Sequence, residues 1–463
     1  MSFEPEQLTL QEQFESVIKT EDKLAIRDFL DDQNISDVAI LVDEFPEYED
    51  HIIAGMSIHR AASVFKILDL AVQKRIIHEL PPTTTASLLN ELPADDRTDF
   101  LEELPSNVVR ELIKLLDPDE RKITLSLLGY PENSIGRLMT PDYVYVYPWN
   151  TIEEVFTTIR KYGKDSETIN VIYVINEKGQ LLDDIRIREF ILNPPDKKVE
   201  ELMDHRFVAL HPEDDQETAS EVFKMNNRVA LPVVSKSDKL LGIVTIDDIL
   251  WVAEEEFSED MQKIGGTAAL NEPYLEIPIF KLFKKRVVWL VVLFLGELLT
   301  ATAMAYFEDE IARAVVLALF VPLIISSGGN SGSQASTLII QAMAVGDLGI
   351  SDWWRVMRRE IISGFLLGLV LGIIGFFRIL IWHSIAPGLY GEHWMPIGIT
   401  VGIALLGVVM WGSIAGSMLP LLLKRLGADP AVSSAPFVAT LVDVTGLIIY
   451  FSVAFTILSG SLL

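Results

Sequence analysis

The feature that most constrains this chain is a set of five apolar segments between residues 284 and 463. They lie near 286–307, 314–345, 361–383, 396–423 and 434–460. Each is long enough to cross a bilayer, which requires about 20 apolar residues. We therefore predict an all-α transmembrane domain with five helices over residues 284–463. Because the number of crossings is odd, the two ends of the chain are expected on opposite sides of the membrane.

The net charge lies outside these segments. Residues 284–463 contain ten acidic and ten basic residues, so the formal net charge of -28 belongs entirely to residues 1–283. An acidic region of this size attracts cations and repels nucleic acid. The chain has no cysteine, which excludes disulfides and thiolate metal sites. We predict a large acidic soluble region that binds no nucleic acid.

The basic residues around the apolar segments predict an orientation. Lys and Arg precede the first segment and occupy the second–third and fourth–fifth connections, whereas the other two connections contain only Arg313. By the positive-inside rule, the N-terminal region is cytoplasmic and the C-terminus lies outside. The first residues, MSFEPEQLTLQEQFESV, lack the apolar core of a signal peptide. These features predict a multi-pass protein of the cell membrane.

The soluble region divides into repeats of two kinds. Residues 1–135 contain Leu-Pro steps at a spacing of twelve, at 80–81, 92–93 and 104–105. Proline is tolerated where a helix begins, so this spacing predicts a solenoid of short helices. Residues 136–253 show strand-like runs, at 143–147, 170–175, 230–234 and 240–245, separated by helical runs. Because the pattern occurs twice, it predicts a duplicated βαββα unit with halves at 136–200 and 201–253. Residues 254–283 continue with an acidic helix, a Gly-Gly break and an amphipathic stretch.

Three ionisable residues lie within the apolar segments: Glu297, Arg378 and Asp443. Each costs about 2.5–3.5 kcal/mol at the centre of a membrane helix. Asp443 shares a face of small and polar residues with Ser433, Thr440 and other residues at i, i+3 and i+4 spacing. Helix packing explains the small residues but not the carboxylate, so we predict a polar pathway at Asp443. For Glu297 and Arg378, an ion pair or an interfacial position is an equally good interpretation.

The second apolar segment contains SSGGNSGSQAST at 326–337, shortly after Pro322. This composition predicts a helix that breaks there, because irregular backbone is tolerated in a membrane where it lines a cavity. The alternative is a tight kink packed by glycines. Asn330 and Gln334 weaken that alternative, because buried amides need hydrogen-bond partners.

Carboxylates recur in the soluble region, at 94–99, 212–217, 246–250 and 254–260. A solvated acidic face explains any one of these runs. Several runs without basic partners favour a hard divalent cation, for which carboxylate oxygens are suitable ligands. The sequence has no HExxH, P-loop or GxSxG motif. We therefore predict that the protein is not an enzyme.

The order of these parts resembles the MgtE family of magnesium channels and transporters across nearly the whole chain. The most specific matches are VPLIISSGGNSGSQAST (321–337) and GADPAVSSAPFVATLVDVTG (427–446). The resemblance implies a helical N domain, paired CBS domains at 136–200 and 201–253, a plug helix at 254–283 and a Mg²⁺ pore. It also implies a homodimer with the pore on its two-fold axis. Asp443 would then be the pore carboxylate, with the Ala439 carbonyl and Asn330 nearby.

The same resemblance implies a gate that closes when cytosolic Mg²⁺ binds acidic residues of the N domain, CBS domains and plug. The matching positions are Asp95, Asp99, Asp215, Glu217, Asp248, Glu256, Glu259 and Asp260. Trp251 and Asn227 stand where the family often has acids, so they alter individual sensor sites.

The second CBS unit keeps GIVTIDD (242–248), in which Thr245 and Asp248 resemble nucleotide-contacting residues and imply ATP as a second ligand. The first unit has LLDDIRI where a glycine is usual, which implies an altered pocket. Two alternatives stay open at this point. One is a channel for Mn²⁺, Co²⁺ or a broader range of divalent cations, and the other is a membrane sensor that conducts nothing.

Overall fold

The computed structural model describes residues 9–459 apart from 21, 271–273, 276, 387 and 389. Residues 1–8 and residue 460, where the fifth predicted segment ends, lie outside the described residues. The chain forms two compact units that divide between Ala253 and Glu254. Both units are built as the sequence predicts: an all-α region and an α/β region in the first, and an all-α membrane region in the second.

The described part of the N-terminal region is a solenoid of ten short helices. Their bounds are α1 Leu10–Ile18, α2 Lys23–Asp32, α3 Ile35–Glu44, α4 Glu49–Gly55, α5 Ile58–Phe65, α6 Leu70–Glu79, α7 Pro82–Glu91, α8 Ala94–Glu102, α9 Ser106–Leu115 and α10 Pro118–Leu127. Pro81, Pro93 and Pro105 occupy the N-cap positions of α7, α8 and α9. The repeated prolines therefore mark helix starts, as predicted. A continuous apolar core runs from Phe14 to Leu116.

A buried arginine fixes the last turns of this solenoid. The Arg97 side chain is fully buried in α8. Its guanidinium donates to the Thr124 hydroxyl at 2.9 Å and to the Leu89 carbonyl at 3.0 Å, and it pairs with Glu120. These bonds join α7, α8 and α10. Because a buried guanidinium needs such partners, the position of α8 is tightly defined.

The second region of the first unit contains two β-sheets with helices around them. The strands are β1 Tyr143–Val146, β2 Thr168–Ile175, β3 Leu181–Arg186, β4 Ala230–Val234 and β5 Leu240–Thr245; the helices are α11 Ile135–Leu138, α12 Ile152–Tyr162, α13 Ile187–Leu192 and α14 Gln216–Asn226. β1 pairs with β2 in parallel, while β2–β3 and β4–β5 are antiparallel. The duplicated unit is confirmed, although the second copy of β1 is reduced to a single bridge between Leu210 and Val233.

The next helix, α15 Ile246–Ile264, begins directly after β5. It crosses residue 254, so the acidic stretch predicted as a separate plug helix is the second half of a longer helix. α15 ends before Gly265 and Gly266, and Gly266 has a φ of +75°, a conformation that glycine adopts without strain. The predicted Gly-Gly break is therefore present.

The second unit contains the five long apolar helices. Its elements are α16 Ile279–Tyr306, α17 Glu308–Arg313, α18 Val315–Ala318, α19 Val321–Ala344, α20 Trp353–Ile385, α21 Trp394–Arg425 and α22 Ala435–Leu458. Helices α16, α19, α20, α21 and α22 belong to the five described spans that are long and apolar enough to cross a membrane. These match the five predicted segments. The helix α20 packs on α21 through glycines, since a methyl group on Gly372 would lie 2.6 Å from the Gly402 carbonyl oxygen.

Candidate functional site

The helix α19 is continuous through residues 326–337, so the predicted break in the second span is wrong. The irregularity lies earlier, at Leu319 and Phe320, and Pro322 occupies the first turn of α19. Glycine and serine are poor helix formers in water. In a membrane, however, an unwound backbone has no water to form hydrogen bonds with, so the helix is favoured. The small residues are instead explained by the packing of neighbouring helices.

The glycines of this segment let two helices approach closely. A methyl group on Gly412 would lie 2.4 Å from the carbonyl oxygen of Gly328, and one on Gly416 would lie 2.1 Å from that of Gly332. Both distances are far below van der Waals contact, so α19 and α21 touch through their backbones. This is the small-residue packing expected of membrane helices. Packing, the alternative interpretation of this segment, therefore accounts for Gly328 and Gly332.

Three serines of the segment are also satisfied by neighbouring helices. The hydroxyls of Ser331 and Ser413 are hydrogen-bonded at 2.8 Å. Ser333 donates to the Ala435 carbonyl at 3.0 Å, and Ser336 donates to the Ser433 carbonyl at 2.8 Å. These bonds connect α19 to α21 and to the start of α22. The serines therefore hold the helices together, and they leave other residues to line a pathway.

Asp443 lies on the face of α22 that packs against α19. A methyl group on Gly329 would lie 3.4 Å from the Ala439 Cβ and 3.5 Å from the Asp443 Oδ1. Asp443 is half-buried and makes no hydrogen bond or salt bridge with any described residue. An unpaired carboxylate in a membrane helix is costly. The structure thus brings Asp443 and Ala439 together beside a glycine and leaves the carboxylate open to a cation.

Two further groups surround this position. Asn330 and Gln334 are exposed one turn apart on α19. Glu297 on α16 is also exposed, and its carboxylate lies within electrostatic range of Asp443. Gly296, its neighbour, packs on α22, since a methyl group there would lie 2.7 Å from the Thr440 Cγ2. Glu297 forms no ion pair with a described residue, so it adds negative charge to the site. The sequence alone could not show that Glu297 lies near Asp443, because their proximity depends on the packing of α16 against α22.

Arg378 takes a different position from the other two ionisable residues. Its guanidinium lies 5.4 Å from the centre of the Phe320 ring and donates to the Tyr390 hydroxyl at 3.5 Å. A cation over an aromatic face is stabilised by the ring quadrupole. Arg378 therefore has a packing explanation, and Asp443 and Glu297 are the carboxylates left for ion chemistry.

A second candidate site lies within the first unit. Asp95 and Asp96 occupy the first turn of α8, and Asp247 and Asp248 occupy the first turn of α15. Together with Glu167, which precedes β2, they form what we call the acidic cluster. Asp95 is only 5 % exposed, and its Oδ1 has no hydrogen-bond partner among the described residues. A buried carboxylate oxygen without a donor favours a proton or a cation as its partner.

Charge in the acidic cluster is poorly balanced. Burial raises the pKa of Asp95 well above its usual value, and repulsion from Asp248, Asp96 and Glu167 adds to the shift. Burial and Asp247 likewise raise the pKa of Asp248 to about 7, against the opposing hydrogen bond from Thr245. The nearby cation is Lys66, whose Nζ lies 3.2 Å from the Asp96 Oδ2. Five carboxylates facing one lysine favour binding of a proton or a cation.

The cluster is not a formed metal site. Among the described residues, no three acidic or histidine side chains are arranged to hold a metal ion. The Thr245 hydroxyl lies 2.5 Å from the Asp247 Oδ1 and 2.8 Å from the Asp248 Oδ2, which holds both carboxylates close to the strand end. A divalent cation would therefore have to draw the carboxylates together on binding. Of the predicted sensor residues, this cluster contains Asp95 and Asp248.

The other predicted sensor residues lie elsewhere. Asp99 is exposed one turn after Asp95. Asp215 is the N-cap of α14, where its Oδ1 accepts the backbone N–H of Glu217 at 2.9 Å. Glu256, Glu259 and Asp260 follow along the second half of α15, and Glu259 pairs with Lys263. The sequence did not predict Asp96, Glu167 and Asp247 as members of this cluster. Asp96 and Asp247 could have been suggested by their predicted neighbours Asp95 and Asp248, whereas no sequence signal indicates Glu167.

Two departures from the family pattern have structural explanations. Asn227 ends α14 with a φ of +49°, in the left-handed region that asparagine tolerates better than most residues. Asp183 of the LLDDIRI stretch is 1 % exposed and accepts the backbone N–H groups of Asp204 and His205 at 2.7 and 3.0 Å. Its neighbour Asp184 pairs with Arg228 at 2.8 Å. The first repeat therefore uses these carboxylates for its own structure. Trp251 is 61 % exposed on α15 and supplies no ligand.

Comparison with known proteins gives matches along most of the chain. A family described as a divalent cation transporter, MgtE, matches residues 321–453; the MgtE intracellular N domain matches 33–133; and a CBS domain matches 199–255. The magnesium transporter MgtE of Thermus thermophilus is 39% identical over 74% of this chain and 74% of its own length. That of Bacillus subtilis is 28% identical over 93% of this chain and 94% of its own. A crystal structure of the soluble part of a magnesium transporter has a TM-score of 0.51 and 25% identity, covering 54% of this chain and 99% of that one.

Proposed function

Because the chain belongs to the MgtE family, and is therefore a multi-pass membrane transporter of Mg²⁺ and not an enzyme, we propose that Mg²⁺ passes along Asp443 through a channel. The observation that carries this proposal is the half-buried Asp443 carboxylate, unpaired among the described residues and beside Gly329. Mg²⁺ releases its water reluctantly. A lone carboxylate suits contact with a hydrated ion through its waters.

The pathway is completed by a second copy of the chain. One chain offers a single Asp443, while Asn330 and Gln334 are exposed on a membrane helix. Polar amides of this kind are unfavourable against lipid and are expected against protein or a water-filled cavity. In a homodimer with its axis along this surface, two Asp443 carboxylates, the Ala439 carbonyls and the Asn330 amides surround one ion path. The Glu297 carboxylates add negative charge that concentrates cations.

The orientation follows from the basic connections. Arg355, Arg358 and Arg359 open α20, and Lys424 and Arg425 end α21. The positive-inside rule places these ends, and with them the N-terminal unit, in the cytoplasm. The C-terminus then lies outside. In this orientation the acidic cluster senses cytosolic Mg²⁺.

We further propose that Mg²⁺ binding to the acidic residues closes the channel. The pKa values of Asp95 and Asp248 are raised because burial and mutual repulsion disfavour their ionised forms. At neutral pH, the close approach of the two ionised carboxylates is therefore unfavourable without a cation. Mg²⁺ would remove this repulsion and favour the arrangement in which α8 and α15 are close together. A ligand shifts such an equilibrium only by binding one state better than the other. The remaining positions, Asp99, Asp215, Glu217, Glu256, Glu259 and Asp260, are proposed as further ligands on the strength of the family resemblance.

ATP is a second proposed ligand of the first unit. Thr245 and Asp248 are hydrogen-bonded at the end of β5, where a ribose hydroxyl could replace the threonine as the partner of the carboxylate. The test is ATP affinity in wild type and in Thr245→Val. Unchanged affinity would exclude Thr245 from the nucleotide site. Because Asp248 is shared with the acidic cluster, ATP and Mg²⁺ are expected to affect the affinity of each other.

The test of the pathway is Mg²⁺ uptake into liposomes at a fixed membrane potential. Asp443→Asn keeps the side-chain volume and removes the charge, so we expect uptake to fall by at least tenfold, the effect of about 1.4 kcal/mol. Asp309→Asn is the matched control, because Asp309 is exposed on α17. Wild-type uptake in Asp443→Asn would refute the assignment. Competition by Mn²⁺ and Co²⁺ in the same assay distinguishes a Mg²⁺ path from a path for a broader range of divalent cations. We expect weak competition, because the described residues near Asp443 offer no soft ligand for a transition metal.

A further inference from the structure

An open cavity of about 600 Å³ lies at the start of α20. Its lining combines three arginines, one acid and two apolar side chains: Arg355, Arg358, Arg359, Asp352, Trp354 and Ile362. The cavity is outside both sites described above. Its mixture of guanidinium groups and exposed apolar surface indicates a ligand that carries both an anion and a hydrocarbon portion.

The position of the cavity along α20 identifies the membrane surface. α20 has 33 residues, about 50 Å at 1.5 Å per residue, whereas the hydrocarbon core is about 30 Å thick. Its first turns therefore extend beyond the hydrocarbon. Trp353 and Trp354 are 48 % and 67 % exposed there, as tryptophans at membrane interfaces are. The arginines accordingly lie at the level of the lipid headgroups.

The charges of the cavity are only partly used within the chain. Arg355 pairs with Asp352 at 2.6 Å, and Asp352 also accepts the backbone N–H of Gly349 at 3.3 Å. Arg358 and Arg359 are exposed and form no salt bridge with a described residue, although Arg359 lies within electrostatic range of Glu360. Two guanidinium groups thus face a cavity at headgroup level. Guanidinium groups bind phosphate oxygens in a bidentate manner.

We propose that this cavity binds the phosphate of an anionic phospholipid, with Arg358 and Arg359 as the phosphate ligands. Trp354 and Ile362 contact the glycerol and the first methylenes of the lipid. Basic pockets beside membrane helices bind headgroups of this class. The site would make the transporter sensitive to the anionic lipid content of its membrane, independently of the ion path at Asp443.

The test uses the full chain in detergent, titrated with short-chain phosphatidylglycerol, phosphatidylcholine or inorganic phosphate. Retained lipid is counted by native mass spectrometry. We expect Arg358→Gln/Arg359→Gln to bind phosphatidylglycerol about 30-fold more weakly, because each arginine near a membrane surface increases the affinity for anionic lipid about fivefold. The matched control is Lys424→Gln/Arg425→Gln, which removes the same charge from the end of α21. It should change affinity by less than about threefold.

Three outcomes would overturn the proposal. Equal losses in the two double variants would show general attraction to a charged surface. Equal binding of phosphatidylcholine would show that the headgroup charge is irrelevant, and binding of inorganic phosphate with the same affinity would show a free-anion site. Arg358→Lys/Arg359→Lys retains the charge and guards against a folding defect. At native stability it should keep only part of the affinity, because lysine lacks the bidentate geometry of a guanidinium group, and unchanged affinity would contradict bidentate phosphate binding.

Discussion

Replacing Asp95 by asparagine should stabilise the contact between α8 and α15 in the absence of Mg²⁺. The substitution preserves volume and removes one charge from the buried surroundings of Asp248. Most substitutions of buried residues destabilise a protein, so a stabilising effect is a distinctive expectation. It follows directly from the charge balance of the acidic cluster.

The sign and size of the effect follow from Asp248. Its pKa rises from 3.8 to about 7 in the folded protein. A carboxyl group with a raised folded-state pKa contributes stability below its unfolded value, and that stability is lost as the pH rises through the folded value. About three pKa units correspond to about 4 kcal/mol lost by pH 8. Burial causes most of this shift and persists in the variant, so only the repulsion between Asp95 and Asp248 is removed. Two unit charges within several ångströms of each other repel by a few kcal/mol at an effective dielectric constant near 20, and we expect about 2 kcal/mol to be recovered.

Hydrogen exchange of the full chain in lipid nanodiscs measures this local stability. Peptides from α8 and from the start of α15 should exchange rapidly in wild type at pH 8 without Mg²⁺, and slowly with millimolar Mg²⁺. In Asp95→Asn they should exchange about 30-fold more slowly without Mg²⁺, the equivalent of about 2 kcal/mol. The added protection from Mg²⁺ should be smaller. At pH 6 the wild type should also need less Mg²⁺, because protons neutralise the same carboxylates.

Asp99→Asn is the matched control on the same helix. Asp99 is exposed, so its substitution should leave exchange without Mg²⁺ unchanged. A reduced Mg²⁺ effect in this variant would support Asp99 as a sensor ligand. Faster exchange in Asp95→Asn without Mg²⁺ would refute the reasoning, because it would mean that the Asp95 carboxylate stabilises the contact through bonds to its surroundings.

Two more predictions concern the second unit. Gly416→Leu places side-chain atoms against the Gly332 carbonyl oxygen, which lies only 2.1 Å from the Cβ position. The variant should therefore lose its monodisperse peak in size-exclusion chromatography after heating. Gly407→Ala should keep that peak, because its new methyl group meets Ile449 at an ordinary distance of 3.4 Å. An unchanged melting profile for Gly416→Leu would contradict the close packing. Lys263→Met removes the 2.7 Å salt bridge from α15 to Asp429. If this salt bridge stabilises the proposed closed state by about 1 kcal/mol, its loss should raise Mg²⁺ uptake against millimolar internal Mg²⁺ about fivefold. Asp429→Asn should do the same, and additive effects in the double variant would show that the pair is not the cause.

The sequence was sufficient to predict elements that depend on local patterns. The Leu-Pro spacing marked helix starts at Pro81, Pro93 and Pro105, and strand-like runs of apolar residues marked β2 and β5. These signals depend on one residue and its near neighbours along the chain. For the same reason, the five apolar segments matched the five described membrane-spanning helices.

The sequence was misleading where a residue's role depends on a partner distant in the chain. The glycines at 328 and 332 predict a break by local propensity, but α21 supplies Gly412 and Gly416 opposite them, and the helix stays continuous. Similarly, all the acidic runs look equivalent in sequence. Only the fold shows that Asp95 and Asp248 approach each other, while Asp215 caps a helix.

The two candidate sites follow the same physical logic in different surroundings. Asp443 in the membrane unit, and Asp95 in the first unit, are carboxylates partly or fully removed from water that lack a cationic partner among the described residues. Such a group costs free energy until a cation arrives. At Asp443 the second carboxylate, Glu297, belongs to another helix and raises that cost further. In the proposed pathway, weak contact through water would let an ion bind there and leave again. In the acidic cluster, five carboxylates share one lysine, so the proposed bound Mg²⁺ would favour the arrangement in which α8 and α15 are close together.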